Sequence, residues 1–340
     1  MTLTGSGNMG WLDKLLGGEN ADKRSAVASA SPVPAHADQR SSAAEIDATW
    51  YRWLAAALPP YAVPDREQRV LDELARLAEA PLAGAALVPR MPEIIPQLMR
   101  SLRDDSMNAA ELSRQLSQDL VLVAEVFREA NRPAYLPRYH AGPPVSSIEA
   151  AIMLLGQNGM RMLLARVAFR PIIGMGSGRH ARRVAPAIWR QSETCALAAS
   201  RLAPSMRANP FEAYLAGLME NIGLVVAFRL IDQVCPGETL PHSDAFIAAL
   251  FNGARVLSAR IAALWEFPDP VTQAIAAAGG SGANSNSGSS ALAQALALGD
   301  RLAKLRQLVD GAVFQPDAPV VTDGLTEAAL DCFDRLGDEE

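Results

Sequence analysis

The stretch FEAYLAGLMENIGLVVAFR, residues 211–229, decides the fold of this chain. Apolar side chains recur in it every three or four positions, which is the spacing of a helix that buries one face. They are Leu215, Leu218, Ile222, Val225 and Val226. Gly217 and Gly223 lie among them, and a residue without a side chain lets a neighbouring backbone approach closely. The stretch therefore predicts the central helix of an all-α core.

A polar pair, Glu220 and Asn221, interrupts this apolar run near its middle. Burying a polar group is costly unless that group forms a hydrogen bond. The pair is therefore either a hydrogen-bonded feature of the core or part of an active site. The function of the protein depends on which of these two interpretations is correct.

Two segments resemble metal-binding motifs of the HD phosphohydrolase superfamily. The sequence LAGLMENIGLVV is similar to LAGLLHDIGKLVL, in which the His-Asp pair binds metal, and Glu220 and Asn221 occupy the places of that pair. Residues 189–192, WRQS, resemble the WRHS that carries the first metal-binding histidine, and Gln191 replaces this histidine. Three motif positions that hold metal ligands in the superfamily therefore hold other residues here.

Further motifs resemble the HDOD branch (HD-related output domain) of the same superfamily. Residues 257–278 are similar to a segment that usually ends in His-His, where this chain continues with two glycines. Residues 88–169 match the part specific to the branch. Its markers are LVPRMP at 87–92, DLVL at 119–122, Asn131 before a Pro- and Tyr-rich loop, and SSIEAAIMLLG at 146–156. The ordered series is far more specific than any one motif, and it implies a two-lobed, all-α, non-catalytic HDOD protein.

The residues at the three motif positions do not suit a hydrolytic metal site. Such a site needs imidazole and carboxylate ligands that converge on one point. Gln191 and Asn221 are neutral amides, and Glu220 alone cannot hold a cation. We therefore expect no metal, no cofactor and no catalytic residue. The alternative is a metal-dependent nucleotide phosphohydrolase with atypical ligands.

The resemblance brings the same three positions together in space. Gln191, Glu220 and Asn221 are then either a hydrogen-bonded network that locks two helices, which we favour, or a pocket that binds a molecule without cleaving it. Cys195 lies in an Ala-rich helical segment without a nearby base, so we expect it to be a packed thiol. The four histidines all lie outside the motif positions, in predicted loops or helix starts, where solvation is usual.

A second candidate site is an arginine-rich stretch. No acidic residue occurs between Glu149 and Glu193, and the glycine-rich loop at 174–178 leads into a predicted helix start. Free amides at a helix start, together with arginines, suit a phosphate-bearing ligand such as a nucleotide, or an acidic partner. The candidates are Arg170, Arg179, Arg182 and Arg183. The alternative, which we favour, is a connection between lobes with a solvated basic face.

Composition excludes several classes of protein. The net charge of −6 argues against electrostatic attraction of the whole chain to DNA or to anionic membranes. Three widely spaced cysteines indicate neither a disulfide framework nor a zinc site. No apolar run is judged long enough to span a bilayer, and the first residues do not resemble a secretion signal. We expect a cytoplasmic protein.

The pattern of linkers and helices predicts four regions. Residues 1–42 are a disordered segment, residues 43–86 a helical hairpin, residues 87–280 the HDOD domain with lobes at 87–170 and 179–280, and residues 281–340 a mobile loop with C-terminal helices. The hairpin is expected to pack on the main body or on a partner. The resemblance then implies a bacterial signal-transduction protein that acts by binding signalling partner proteins.

Overall fold

The computed structural model describes residues 35–55, 64–91, 96, 120–131, 144–174, 178–235, 240–279 and 289–337. The chain divides into two compact units, Met1–Asp38 and Gln39–Glu340. The helix predicted at 92–102 and most of the Pro-rich loop at 133–144 lie outside the described residues.

The described ranges contain twelve α-helices and one 3₁₀ turn (Ala203–Met206), and no strand occurs in them. The helices are α1 (Ala35–Ala55), α2 (Pro64–Glu79), α3 (Leu120–Ala130), α4 (Ile148–Gly174), α5 (Arg179–Leu202), α6 (Pro210–Glu220), α7 (Ile222–Val234), α8 (Asp244–Leu264), α9 (Asp269–Gly279), α10 (Ala291–Asp310), α11 (Pro319–Thr322) and α12 (Glu327–Gly337). The all-α prediction is confirmed.

The predicted central helix is two helices, because the chain bends at Asn221. Its φ of −95° and ψ of 5° end α6 and begin α7. Ser258 of α8 bridges the break: its hydroxyl donates to the Glu220 carbonyl at 2.6 Å and accepts from the Gly223 amide at 2.8 Å. One side chain therefore satisfies two backbone groups that the break would leave unpaired. The expectation of one continuous helix was wrong at this point.

Small residues let the central helices pack closely, as the sequence predicted. A Cβ on Gly217 would lie 2.5 Å from the Cα of Ala196 in α5. A Cβ on Gly223 would overlap the carbonyl oxygen of Ala254 in α8. The predicted pairing of α5 with α6 and α7 is confirmed, and Gly156 bends α4 with a φ of 69°, as its position indicated.

Two segments are longer and more apolar than we expected. Pro210–Val234 and Asp244–Leu264 both have the length and hydropathy of a membrane-crossing helix, so the prediction that no run reaches that length was wrong. In the first, 94% of the apolar window is buried within the fold, and in the second 44% is buried. Core helices meet the same criterion, and the α6–α7 segment is enclosed by its neighbours.

The helices at 43–86 pack on the main body. Trp50 and Tyr51 of α1 are fully buried, and the Tyr51 ring stacks on Phe228 of α7 at a centroid distance of 5.8 Å. Glu67 of α2 accepts hydrogen bonds from both the amide and the hydroxyl of Ser243, at the start of α8. The sequence left open whether the hairpin packs on the main body or on a partner, and the structure shows it packed on the main body.

Candidate functional site

Five helical segments bring a group of polar side chains together in the core. It is formed by α1, α5, the α6–α7 break, α8 and α10. We call it the polar cluster, and its members are Asp47, Gln191, Ser192, Cys195, Glu220, Asn221, Arg255, Asp300 and Lys304. The close approach of α10 to α5 helps to assemble it, because a Cβ on Gly299 would meet the backbone of Ala199 at 2.8 Å.

The two amides at motif positions bind each other. The Asn221 side chain donates to the Gln191 oxygen and, at 3.3 Å, to the Ser192 hydroxyl. Gln191 in turn donates to Oδ1 of Asp300 at 2.5 Å. Asn221 is both the residue at which the helix breaks and the donor of this hydrogen bond. The predicted meeting of these helices through polar side chains is confirmed for this pair.

A buried lysine lies between two carboxylates. Nζ of Lys304 is 2.5 Å from Oδ1 of Asp47 and 2.6 Å from Oδ2 of Asp300, and the lysine is 1% exposed. Its ammonium also lies 5.0 Å from the ring centroid of Phe251, within the range of a cation–π contact. Burial alone would lower the pKa of Lys304, but the charges of Asp300 and Asp47 outweigh burial and raise it. The ammonium is therefore charged at neutral pH.

Arg255 supplies the second cation of the cluster. Its Nη2 lies 2.8 Å from Oδ2 of Asp47 and 3.8 Å from Oδ2 of Asp300, and its Nε lies 3.7 Å from Oε1 of Glu220. Burial by itself would raise the pKa of Asp47, but Lys304 and then Arg255 overcome that effect and lower it. The Asp47 carboxylate is therefore ionised and shared by two cations.

Glu220 differs from Asp47, because its pKa is raised whereas that of Asp47 is lowered. Burial, followed by the nearby charge of Asp300, raises the pKa of Glu220 to about 8. The Cys195 thiol lies 3.6 Å from its Oε2, and burial followed by the Glu220 charge raises the pKa of Cys195 well above its ordinary value. The polar cluster therefore brings three carboxyl groups, those of Asp47, Glu220 and Asp300, against two side-chain cations, Lys304 and Arg255.

The resemblance to the HD phosphohydrolases implies a metal, and the cluster has one group of residues that could hold it. Ligand atoms of Cys195, Glu220 and Asp300 lie within 4.8 Å of one another, the one such group in the described part of the chain. However, Nζ of Lys304 lies 2.6 Å from the carboxylate of Asp300, and Nε of Arg255 lies 3.7 Å from that of Glu220, so two of the three groups already contact a side-chain cation. The residues present therefore do not fit a resident hydrolytic metal.

Four charged members of the cluster were missed by sequence reasoning: Asp47, Arg255, Asp300 and Lys304. Charged residues in helices usually face solvent, and these come from helices that are far apart in the chain. The sequence pattern did indicate the burial of one pair. Asp300 and Lys304 stand four residues apart in an otherwise apolar repeat, so they share the face of α10 that the repeat buries.

The start of α5 has a different geometry from the one that the alternative of a phosphate-binding site requires. The amides of His180 and Ala181, at the start of α5, donate to the two carboxylate oxygens of Asp232, each at 2.9 Å. Asp232 therefore caps the helix where the phosphate hypothesis required free donors. Nε of Arg182 bonds to the Gly178 carbonyl and Nη2 of Arg183 to that of Ala55.

The remaining predicted residues that the structure describes are two arginines, two histidines and Cys195, of which Cys195 is a member of the polar cluster. Arg170 and Arg179 are exposed at the end of α4 and the start of α5. His180 and His242 are buried, which contradicts the expectation that loop histidines are solvated, and the carbonyl of Leu240 holds Nδ1 of His242 at 2.8 Å. Cys195 is a packed thiol, as predicted.

Comparison with known proteins supports the fold. The HDOD domain family matches residues 88–279. Similar solved structures include an HDOD domain protein of unknown function from Geobacter sulfurreducens, with a TM-score of 0.56, 21% identity, and coverage of 79% of this chain and 95% of that one. A candidate metal-dependent phosphohydrolase from Shewanella amazonensis has a TM-score of 0.54, 18% identity, and coverage of 81% and 99%.

A third similar structure is a candidate signal transduction protein from Marinobacter aquaeolei, with a TM-score of 0.53, 23% identity, and coverage of 82% of this chain and 65% of that one. No curated protein matches the chain. At these identities the three structures show the fold alone. Asp47, Asp300 and Lys304 all lie outside the residues that the family match covers.

Proposed function

The chain belongs to the HDOD domain family, and from this we propose that it is a non-catalytic bacterial signal-transduction protein that binds a partner protein. The observation that carries the proposal is the position of Lys304 between Asp47 and Asp300. A metal-dependent hydrolase needs cations with open coordination positions to activate water and hold phosphate oxygens. Here two side-chain cations already neutralise the acidic groups.

The amides support the same interpretation. Gln191 and Asn221 use their side chains to bind each other, and Gln191 also binds Asp300. This network joins α5, the α6–α7 break and α10, so its loss would loosen the core. We therefore infer that the polar cluster stabilises a rigid cytoplasmic scaffold. The surface of this scaffold then binds the partner protein. The signal-transduction name of the Marinobacter protein agrees with this role.

A hydrolysis assay tests the absence of catalysis. Full-length protein is incubated with bis-p-nitrophenyl phosphate and with cyclic and linear dinucleotides, in the presence of Mn²⁺, Mg²⁺ or Zn²⁺. We expect rates equal to those of metal and buffer alone. Glu220→Gln is the matched control, because glutamine keeps the shape of the side chain and removes the carboxyl group that could bind a metal. If the wild type hydrolyses a substrate and Glu220→Gln does not, the phosphohydrolase alternative is established. The name of the Shewanella protein is that of such an enzyme.

The alternative of a nucleotide-sensing module at Arg179–Arg183 requires a separate test. Cyclic and linear dinucleotides are titrated into wild type and into a variant with Arg182→Ala and Arg183→Ala. We expect no saturable binding by the wild type, because Asp232 already occupies the amides at the start of α5. Binding by the wild type that the double substitution removes would support nucleotide sensing.

A further inference from the structure

Helix α8 exposes an apolar face. The helix has the hydropathy of a membrane-crossing segment, yet only 44% of its apolar window is buried. Two of the five exposed large apolar side chains in the described part of the chain, Val256 and Leu264, belong to it. Opposite its buried side runs a row of exposed and half-buried residues, which we call the α8 seam. Its members are Ala245, Ala249, Asn252, Val256, Ala259 and Ala263.

The α8 seam contains no charged side chain. Arg255 is the one charged residue between Asp244 and Arg260, and its side chain is directed into the polar cluster, where it contacts Asp47. The exposed face of α2 is different, because most of its exposed positions carry a charge. They include Asp65, Arg66, Arg69, Asp72, Arg76 and Glu79. A helix face without charge is typical of one that packs against another surface.

The spacing of the α8 seam indicates what covers it. Its members follow one another at alternating steps of four and three residues, which is the spacing of a row that contacts a second helix in a coiled coil. The row is also symmetric about residue 254, so an antiparallel copy of α8 presents the same row in the same register. The facing pairs are then Ala245 with Ala263, Ala249 with Ala259, and Asn252 with Val256.

We propose that the α8 seam is a homodimer interface, at which α8 packs against α8 of a second copy of this chain in the antiparallel direction. The alanines allow the two helices to approach closely. Asn252 is the one polar member of the seam, and a single asparagine in such a row favours one register and one oligomeric state. The interface goes beyond the proposed function, because it binds a second copy and not a signalling partner.

The charges at the two ends of α8 favour the antiparallel direction. Asp244 begins the helix, and its side chain is 82% exposed. Arg260, near the other end, bonds to the neutral carbonyl oxygens of Leu77 and Ala78. An antiparallel copy brings Asp244 of one chain within about one turn of Arg260 of the other, and it also pairs opposite ends of the helix dipoles. A parallel copy would place like charges side by side.

The surroundings of the α8 seam fit an interface between two folded chains. Helix α2 lies beside it, since a Cβ on Gly253 would meet Leu74 of α2 at 2.7 Å. The charged exposed face of α2 then supplies the polar rim that such interfaces have. One pair of 21-residue helices buries less area than an obligate interface does, so we expect a weak and reversible dimer.

Sedimentation equilibrium of the full-length protein tests the proposal. For the wild type, measured from about 5 to 300 µM, we expect a monomer–dimer equilibrium. Val256→Glu places one carboxylate per copy on the seam, and the loss of water around both should raise the dissociation constant at least ~100-fold. Val313→Glu is the matched control, because it adds the same charge at a valine of similar exposure outside α8, and it should leave the constant unchanged. Thermal unfolding checks that both variants fold.

Disulfide trapping tests the direction of the two helices. Ala245→Cys protein is mixed with Ala263→Cys protein that carries a mass tag, and the mixture is mildly oxidised. We expect a disulfide-linked heterodimer in the mixture and little linked dimer of either variant alone, because these two positions face each other only between antiparallel copies. Cys195, Cys235 and Cys332 are buried and should not react.

Three results would overturn the proposal, and the proposed function stands in each case. If the wild type is monomeric throughout the range, a second copy does not cover the α8 seam; sedimentation with phosphatidylcholine vesicles that Val256→Glu abolishes would then assign the seam to a membrane. If the wild type dimerises and Val256→Glu does so equally, the dimer uses another surface. If each cysteine variant alone forms the linked dimer and the mixture forms no heterodimer, the copies are parallel.

Discussion

Replacing Glu220 by glutamine tests the protonation state of the polar cluster. Burial, together with Asp300, raises the pKa of Glu220 from 4.5 to about 8 in the folded protein. Between these two pH values the folded chain holds a proton that the unfolded chain has released. The free energy of unfolding therefore decreases as pH rises through this window, by at most about 1.4 kcal/mol per pH unit for one proton.

Glutamine carries no proton to lose, so Glu220→Gln should lack this slope. The free energy of unfolding is measured by urea denaturation at pH 6, 7 and 8, with circular dichroism as the signal. We expect the variant to gain stability relative to wild type with each unit, by up to about 1.4 kcal/mol. Titrations that both proteins share cancel in the difference.

Glu327→Gln is the matched control, because it removes a carboxylate from the exposed surface of α12. Its stability difference from wild type should stay the same at the three pH values. The reasoning is refuted if the Glu220→Gln difference is equally flat. A flat difference would show that the Glu220 carboxyl of the folded protein is already ionised at pH 6.

Four further substitutions test the packing and the charges of the core and the cap of α5. Lys304→Met leaves buried carboxylates without their nearest cation and should lower the free energy of unfolding by about 3–5 kcal/mol in urea titration, whereas adding Asp47→Asn should recover part of that loss. Gly223→Ala places a methyl group on the carbonyl of Ala254 and should cost at least about 3 kcal/mol by the same measurement; an unchanged midpoint would contradict the packing described for α7 and α8. Asp232→Ala removes the cap of α5 and should lower stability by about 0.5–2 kcal/mol; no change would mean that the cap contributes nothing.

The local pattern of the sequence was sufficient for much of the fold. The apolar spacing at 211–229 predicted buried helices, and its glycines lie where α5 and α8 approach most closely. The break at Asn221 could not be read from that pattern, because the apolar spacing continues across it. The hydroxyl of Ser258, 38 residues after Glu220, donates a hydrogen bond to the Glu220 carbonyl at the break. Local helix propensity contains no information about so distant a contact.

The candidate site was predictable only in part, for the same reason. Gln191 and Asn221 could be placed together because they occupy motif positions on paired helices. Asp47 and Lys304 are 257 residues apart, and each alone resembles a solvated surface charge. Asp232 lies 52 residues from the helix that it caps, so the amides of α5 looked free. Only the assembled helices show which charges are neutralised and which donors are used.

The metal content of the purified full-length protein tests the central claim most directly. The wild type is expressed with added Zn²⁺, Mn²⁺ and Co²⁺, dialysed without chelator and analysed by plasma mass spectrometry. Because Lys304 and Arg255 already neutralise Asp47 and Asp300, we expect metal well below one ion per chain. One or more ions retained per chain, and lost in Glu220→Gln, would contradict the account.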